Sequence, residues 1–291
     1  MTNIIVERTF VYPRYITNLT IECNKILTDI CVPYTVEYLE IIGHGYKINP
    51  FKIPNNVKTL ILECQIENLP NLIIPKSVEY LHISCGTETN IENLIPKSVE
   101  ELHFFCHDKP PKNCIPNSVK RLTFSHYTNN KIDPFIPNSV TNLTFHTTFD
   151  KNIENIIPNS IKYLTFGRNF NQSINKNIPN SVTHLTFGYD FNQPLNNDIP
   201  NSVTHLTFGV NFDQQITNSI PNSITHLTIK YNFTRMIYNL PESIIYLELR
   251  CRKNRSIINL PKSLKILKTY ESIYKRIKNL LSGDVYVEFL Q

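Results

Sequence analysis

The chain has 291 residues, of which 41% are hydrophobic, so it can form a substantial buried core and is not an intrinsically disordered protein. Its net charge is +5, no apolar run approaches the length of a membrane-spanning helix, and the opening stretch MTNIIVERTFVYPRY lacks the apolar segment of a secretory signal. Seven cysteines, an odd number in a chain without such a signal, fit reduced thiols. We therefore expect an intracellular protein that is neither secreted nor bound to a membrane.

Residues 1–12 precede a short repeat and are expected to form an N-terminal cap. From there, proline recurs every twenty or twenty-one residues, at positions 13, 33, 54, 75, 96, 116, 137, 158, 179, 200, 221, 241 and 261. A fixed period of this length predicts a solenoid in which each repeat forms one coil. We expect a single repeat domain over residues 13–270, with about 13 coils of 20–21 residues.

Each repeat contains one predicted β-strand. The sixth residue after every repeat proline is leucine, the third is always apolar, and the eighth is apolar in all but the last copy. Side chains two apart on a strand share a face, so the leucine and its partner point inward and the residue between them points outward. Stacked coils then form a leucine-rich-repeat-like parallel sheet, curved into a horseshoe or arc. The central leucines of this ladder are Leu143, Leu164, Leu185, Leu206 and Leu227.

The far, convex side of each coil is predicted to contain little or no helix. Apolar residues close the coil there, as Phe170, Ile174 and Ile178 do in one repeat. A repeat of about twenty-one residues leaves little room for a helix of usual length, and Pro194 in FNQPLNNDIP argues against one. We expect extended or 3₁₀ segments instead.

Small and polar residues recur where the chain must turn. Serine follows the repeat proline by two positions in ten of thirteen copies, and its hydroxyl can bond nearby backbone groups. Glycine marks the end of the predicted strand at Gly167, Gly188 and Gly209. Eleven positions after the proline, the middle repeats carry a polar side chain that can satisfy backbone groups left unpaired by the turn. These predicted ladder residues are Asn169, Asp190, Asn211 and Asn232.

The stretches SIKYLTFGRN and SVTHLTFGYD resemble the strand segment LxxLxLxxN of leucine-rich repeats. The whole unit FNQPLNNDIPNSVTHLTFG resembles the FNIP repeat, a short leucine-rich-repeat variant. The resemblance covers roughly residues 11–270 and is most specific between Phe149 and Phe233. FNIP repeats are typical of social amoebae and of their large DNA viruses, so the resemblance implies an amoebal or viral source, and a cytoplasmic location in the host cell if the source is viral.

Some members of the FNIP family carry an F-box and look like substrate receptors of ubiquitin ligases. Only residues 1–12 precede the first repeat proline here, so we expect no F-box. The resemblance therefore leaves a second hypothesis open, in which the chain recognises substrates in a ubiquitin-ligase pathway and recruits the ligase through another subunit.

Histidine recurs directly before the ladder leucine, as His184, His205 and His226. This position points outward, so the three side chains are expected to form an exposed ladder with rungs about 4.8 Å apart. A polar residue tolerated on an exposed strand explains them without any function, and a protein-binding surface is the functional alternative. Repulsion between neighbouring charges predicts that each histidine titrates below the reference pKa of about 6.5.

The same position carries varied side chains in other repeats, including the aromatic and Arg residues that are favoured at interfaces. The strand propensity of these residues explains the column equally well. Our first hypothesis is a non-enzymatic scaffold that binds an unknown protein partner on its concave sheet. The predicted partner-binding residues are Tyr38, Tyr80, Glu101, Arg121, Tyr163, His184, His205, His226 and Tyr246.

No motif in the sequence predicts catalysis, since GxSxG, HExxH, EF-hand spacing and a phosphate-binding glycine loop are all absent. A metal-dependent activity on the histidine ladder is a third hypothesis, although no carboxylate or cysteine lies among these histidines to complete a tetrahedral zinc site. Cys64, Cys85 and Cys106 with His107 lack the paired CxxC spacing of a zinc site. We therefore expect no enzymatic activity, no cofactor and no metal.

The C-terminal end is basic, with ten Lys or Arg and one acid among residues 250–278. A solvated cap explains this charge, contact with an acidic protein surface is the alternative, and nucleic acid is disfavoured as a partner. Ile273, Ile277 and Leu280 fall on one helical face of ESIYKRIKNLL, and VYVEF can form a last strand. Residues 271–291 are therefore expected to form a C-terminal cap of a short helix and a strand.

Overall fold

A computed structural model of the chain describes residues 2–5, 15–22, 30–66, 71–85, 93–106, 113–126, 136–251 and 257–291. Their contacts define two compact units, residues 1–141 (unit 1) and residues 142–291 (unit 2). Both units consist mainly of parallel β-strands, one from each repeat and one from each terminal segment.

In the described part of unit 1, seven strands lie in chain order and each pairs in parallel with the next. They are β1 (Thr2–Ile5), β2 (Asn18–Glu22), β3 (Tyr38–Ile48), β4 (Thr59–Ile66), β5 (Tyr80–Cys85), β6 (Glu101–Cys106) and β7 (Arg121–His126). The first strand comes from the expected N-terminal cap, of which residues 1 and 6–12 lie outside the described residues. This segment therefore adds a strand to the sheet.

Unit 2 contains eight parallel strands among its described residues, again paired in chain order. They are β8 (Asn142–Phe145), β9 (Tyr163–Thr165), β10 (His184–Thr186), β11 (His205–Thr207), β12 (His226–Ile229), β13 (Tyr246–Leu249), β14 (Ile266–Thr269) and β15 (Tyr286–Phe289).

A helix and a short turn lie between the last two strands of unit 2. They are α1 (Glu271–Ile277) and a 3₁₀ turn (Lys278–Leu280), and Ile273 and Ile277 are the buried residues of the helix. Elsewhere in the described ranges there is no α-helix, which agrees with the predicted lack of helix on the far side of each coil. Within the same residues, no helix combines the length and the apolar character needed to cross a membrane.

The leucine ladder sets the register of unit 2. Leu185 pairs with Leu164 on one side and with Leu206 on the other, and none of the three is more than 1% exposed. Full burial of one such side chain is worth about 1.5–3 kcal/mol. The leucines at the ends of the predicted ladder, Leu143 and Leu227, are buried in the same way.

Two columns of phenylalanine contribute the largest side chains to the core of the central repeats. Phe187 and Phe191 of one coil stack with ring centroids 3.8 Å apart. Phe187 also stacks on Phe208 of the next coil at 5.8 Å, and Phe191 on Phe212 at 6.0 Å. These rings join the strand to the far side of the coil, so the coil closes without a helix.

The repeat proline begins a tight turn that leads into each strand. The N–H of Val182 donates to the carbonyl oxygen of Pro179 at 3.1 Å. The Ser202 hydroxyl, in the turn of the next coil, donates to the carbonyl oxygen of Val182 at 2.8 Å. The proline carbonyl thus closes the turn, and Ser202 ties its own turn to the preceding coil, whereas the equivalent hydroxyls of Ser118, Ser139, Ser160 and Ser181 have no hydrogen-bond partner among the described residues.

The glycines at the ends of the central strands are required by the close approach of successive coils. A Cβ atom on Gly188 would lie 1.7 Å from the carbonyl oxygen of Gly167, and one on Gly209 would lie 1.6 Å from that of Gly188. The sequence indicated only that these glycines end the strands. Their structural role is to let one backbone lie directly against the next.

Two polar ladders follow the strands of unit 2, and the prediction about which of them satisfies the backbone is wrong. Asn171 Oδ1 accepts the N–H of Asn192 at 2.9 Å, and Asn192 Oδ1 accepts the N–H of Asp213 at 2.9 Å. These residues lie thirteen positions after the repeat proline, directly after a core phenylalanine. Their side chains pair backbone donors that would otherwise be left open by the turn.

The predicted ladder of Asn169, Asp190, Asn211 and Asn232 lies two positions earlier and differs in its bonding. Asn211 Nδ2 donates to Asp190 Oδ1 at 2.8 Å, and Asn232 Nδ2 donates to Asn211 Oδ1 at 2.9 Å. The backbone N–H groups in this column donate to main-chain carbonyls of the preceding coil, as Asn169 does to Thr147 at 2.9 Å. This column therefore links side chains and does not satisfy the turn.

Candidate functional site

The outward face of unit 2 arises from strand alternation. On β10, Leu185 is fully buried, whereas His184 and Thr186 on either side of it are half-buried. Because neighbouring strands pair in parallel and in register, equivalent outward residues lie side by side. The residue before each ladder leucine therefore forms a continuous column over β9 to β13.

Five aromatic rings stack in this column, and we call them the ring column: Tyr163, His184, His205, His226 and Tyr246. The centroids of adjacent imidazoles are 4.1 Å apart, with planes inclined by 13° and 11°. The tyrosine rings lie at the two ends, 4.4 Å from His184 and 5.4 Å from His226. The structure thus brings together five of the nine residues that the sequence predicted for partner binding.

The other four predicted residues occupy the equivalent position in unit 1; they are Tyr38, Tyr80, Glu101 and Arg121. Arg121 Nε donates to a Glu101 carboxylate oxygen at 2.7 Å, and the Tyr38 hydroxyl donates to Glu40 at 3.2 Å. Burial is the main cause that raises the pKa of both Tyr38 and Tyr80. On β4 the position is held by Thr59, so no ring column runs through these strands.

A second cluster of rings in unit 1 was missed by the sequence analysis. His82 stacks on His103 at 5.7 Å and on Phe105 at 4.9 Å, and Tyr80 lies 5.1 Å from His103. His103 Nε2 also lies 3.5 Å from a Glu101 carboxylate oxygen. His82 and His103 follow the ladder leucine, and this position points outward just as the position before the leucine does. Strand alternation was the signal that could have found these histidines.

Each imidazole of the ring column is held by the threonine that precedes it. Thr183 Oγ1 lies 2.9 Å from His184 Nδ1, and the same distance recurs between Thr204 and His205 and in the following coil. The rings therefore stand with their faces against one another along the stack. Within the described residues, the Nε2 atom of each ring forms no hydrogen bond.

Burial lowers the pKa of all three histidines, in the case of His205 to about 4. Repulsion between the imidazoles adds to burial for His184 and His205. The sequence predicted the direction of this shift but attributed it to repulsion between exposed rings. The rings are in fact half-buried by their stacking, and loss of hydration is the larger cause. Burial, and next its hydrogen bond to Glu248, raises the pKa of Tyr246 to about 12.

The stacked geometry is unsuited to a metal centre. Zinc ligands must converge on one point, whereas the lone pairs of parallel imidazoles lie in parallel planes. Throughout the described residues, no group of three or more His, Cys, Asp or Glu could hold a metal ion. Cys64 is buried, and the side chains of Cys85 and Cys106, like His107, lie outside what the structure describes.

A groove of about 1140 Å³ follows the proline turns of unit 2. It is lined by turn residues such as Pro200, Asn201 and Asn222, and by Asn197 and Asn218, which both have a φ of 60°. The groove repeats the shape of the turn from coil to coil. This groove is a second surface of unit 2, and none of its lining residues belongs to the ring column.

Parallel strands from successive repeats, an internal leucine ladder and a varied outward column define a leucine-rich-repeat-like β-solenoid. Residues 90–232 match the family model of the FNIP Repeat in six overlapping segments. These segments are 90–127, 107–148, 129–169, 149–190, 170–198 and 191–232. Residues 90–232 therefore contain FNIP repeats, which confirms the resemblance seen in the sequence over this part of the chain.

The fold is similar to that of CroV588, a protein whose crystal structure was described as a novel circular LRR protein structure, with 30% sequence identity and a TM-score of 0.64. The similarity covers 96% of this chain and 50% of CroV588, so the chain spans half the length of that protein. A weaker likeness to YopM from Yersinia enterocolitica has 15% identity and a TM-score of 0.38, over 92% of this chain and 65% of YopM. No curated protein matches the chain.

Proposed function

We propose that the chain is a non-enzymatic scaffold that binds a protein partner on the outward face of unit 2, with the ring column at the centre of the contact. The observation that carries this proposal is the stack of five rings on the outward side of the sheet. Aromatic side chains are enriched in interface cores because they bring a large contact area with few rotatable bonds. Leucine-rich-repeat-like solenoids typically bind partners along an extended sheet surface.

The coils themselves do not need rings at this position. The equivalent residue is Asn142 on β8 and Ile266 on β14, and both strands pair with their neighbours in the same register. The core is instead held by the leucine ladder, the phenylalanine columns and the polar ladder of the turns. Recognition of a partner therefore explains the ring column better than a requirement of the fold does.

Quantitative affinity purification from the native cell tests this proposal. Three baits are compared, the first of which is the wild-type chain. The second is a histidine variant with His184→Gln, His205→Gln and His226→Gln. The third is an asparagine variant of the proline turns, with Asn180→Ala, Asn201→Ala and Asn222→Ala, and serves as the control. We expect at least one protein to be lost from the histidine variant and retained by the asparagine variant. An identical set of proteins from all three baits would contradict the proposal. Cullin or adaptor proteins among the partners would support the ubiquitin-ligase hypothesis.

A further inference from the structure

We infer that the partner contributes carboxylate side chains and that the outward N–H groups of the three imidazoles receive them. This inference rests on the proposed function and specifies the chemistry of the partner. The occupant of the ring column would be an acidic segment of a protein, with Asp or Glu side chains directed at His184, His205 and His226.

The hydrogen bonds around each imidazole place its proton on the outward nitrogen. The carbonyl oxygen of Lys162 accepts two backbone N–H groups, from Thr183 at 2.9 Å and from His184 at 3.0 Å. These two bonds use both lone pairs of that oxygen. The Thr183 hydroxyl can donate to the same oxygen at 3.2 Å or to His184 Nδ1 at 2.9 Å, and the shorter contact, together with the occupied carbonyl, favours the ring. With Nδ1 as the acceptor, the neutral imidazole carries its proton on Nε2.

The next two coils repeat this arrangement. The carbonyl oxygen of Thr183 accepts the N–H groups of Thr204 and His205 at 2.9 and 3.1 Å, and that of Thr204 accepts those of Thr225 and His226 at 2.9 and 3.0 Å. Each threonine hydroxyl again lies 3.2 Å from the carbonyl oxygen and 2.9 Å from Nδ1. Among the described residues, Nε2 of these rings has no hydrogen-bond partner. In the tautomer that this bonding favours, three unpaired N–H donors lie in a row, one on each coil.

The acids on this face are already paired with cations. On the described strands of unit 2, the outward positions next to the ladder leucine carry two carboxylates, Glu248 and Glu288. Glu248 pairs with Arg250 and accepts a hydrogen bond from the Tyr246 hydroxyl at 2.9 Å, while Glu288 pairs with Lys268 at 2.5 Å. No acid of this face is therefore available to occupy the imidazole donors or to repel an incoming carboxylate.

Two exposed lysines lie next to the strands at or beyond the ends of the ring column and add positive charge near it. Lys162 lies directly before Tyr163 at one end of the ring column, and Lys265 lies directly before Ile266 beyond the other end. Both side chains are exposed and neither forms an ion pair with a described residue. Between them, the outward residues of β10 to β12 are threonine and histidine. The charge of this surface is therefore complementary to an acidic segment.

A bound carboxylate would change the protonation of the column. Burial disfavours the charged imidazole in the free protein, whereas a carboxylate at Nε2 stabilises it and forms a stronger, charge-assisted hydrogen bond. Binding should therefore take up protons, and affinity should increase as the pH falls towards the raised pKa of the bound imidazoles. A neutral partner segment would cause no such proton uptake.

NMR of the full chain, with ¹⁵N-labelled histidine, tests the inference directly. The probes are a Glu octapeptide, a Gln octapeptide, a phosphoserine peptide of equal length and a short DNA strand. We expect the free imidazoles to carry the proton on Nε2, and the Glu peptide to shift their resonances and raise the pKa of His205 by about 1 unit or more. A proton on Nδ1, equal shifts with the Gln peptide, or no shift with the Glu peptide would overturn the inference. Preferential binding of the phosphopeptide or DNA would overturn the carboxylate assignment.

Two variants distinguish the contribution of the imidazoles to binding from that of the nearby lysines. Replacing the three histidines by Gln should weaken binding of the Glu peptide by about tenfold or more, as expected for the loss of charge-assisted bonds. Replacing Lys162 and Lys265 by Gln should weaken it less and leave the imidazole shifts in place. If the lysine variant loses more affinity for the Glu peptide than the histidine variant does, the lysines rather than the imidazoles bind the carboxylates. If a captured partner depends on the histidines but is not displaced by the Glu peptide, this inference fails while the proposed function stands.

Discussion

The imidazole rings of His184 and His205 stack with their centroids 4.1 Å apart and their planes inclined by 13°. Each ring covers one face of the other, so both are half-buried although they lie on the outward side of the sheet. Burial in turn disfavours the charged form. The central part of this face is therefore neutral near physiological pH and offers ring edges rather than fixed charges to a partner.

We expect His205 to titrate near pH 4, below the reference pKa of about 6.5, because it stacks between two other imidazoles. As the pH falls below about 6.5, the unfolded chain takes up protons before the folded chain does. The contribution of this histidine to stability is thus fully present above about pH 6.5 and declines towards pH 4. Denaturant unfolding at several pH values should show a smaller decline when all three histidines are replaced by Gln, and an equal decline would contradict the assignment.

Leu185→Ala should lower the free energy of unfolding by about 2–5 kcal/mol, because it removes a fully buried side chain and leaves a cavity between two coils. The matched control is Thr186→Ala on the same strand, which should change stability by less than about 0.5 kcal/mol. His184→Ala should fall between them, at about 0.5–1.5 kcal/mol, because it removes stacking contacts. Equal losses for Leu185 and Thr186 in denaturant unfolding would refute the inside and outside assignment.

The leucine ladder could be predicted in full because two signals agree. The strict repeat length fixes which residues become neighbours, and the alternation along the strand fixes which of them point inward. His184 illustrates the limit of this reasoning, since alternation gives its direction but not how closely its neighbours cover it. The degree of burial, and with it the main cause of the pKa shift, depends on ring stacking that no spacing rule supplies.

Gly188→Ala should destabilise unit 2 by about 1–3 kcal/mol or more, because its Cβ would lie 1.7 Å from a backbone carbonyl oxygen that cannot move without shifting a coil. Gly283→Ala serves as a control with a different cause of strain. Its Cβ has no neighbour within 4 Å, but its φ of +74° favours glycine, so we expect a cost of about 1–2 kcal/mol. Thermal unfolding in which Gly188→Ala is neutral would show that the coils are farther apart than described.

Asn192→Ala should cost about 1–3 kcal/mol, because it leaves the N–H of Asp213 without its side-chain acceptor. Asn211→Ala, in the ladder that joins side chains only, should cost less, about 0.5–1.5 kcal/mol. Hydrogen exchange provides the second measurement, since the amide of Asp213 should lose protection in the first variant and keep it in the second. Similar exchange in both variants would argue against separate roles for the two ladders.

Which of these ladders serves the backbone could not be predicted from the sequence. Polar side chains recur both at Asn211 and at Asn192, and either column can supply an acceptor. The difference lies in the turn. It directs the backbone N–H of the residue after the core phenylalanine towards the side-chain oxygen of the equivalent asparagine in the preceding coil. The hydrogen bonds around His184 could not be predicted from the sequence either, because they depend on the position of the Lys162 carbonyl oxygen in the preceding coil.

Site-specific photo-crosslinking tests the central claim, that the outward face beside the ring column binds a protein partner, most directly. A photoreactive benzoylphenylalanine would replace either Thr207, half-buried on the outward side of β11, or Asn201, exposed on the proline turn that leads into the same strand. After irradiation in the native cell, we predict a cross-linked protein from position 207 and none from position 201. Cross-linking from position 201 alone, or equally from both positions, would contradict the account.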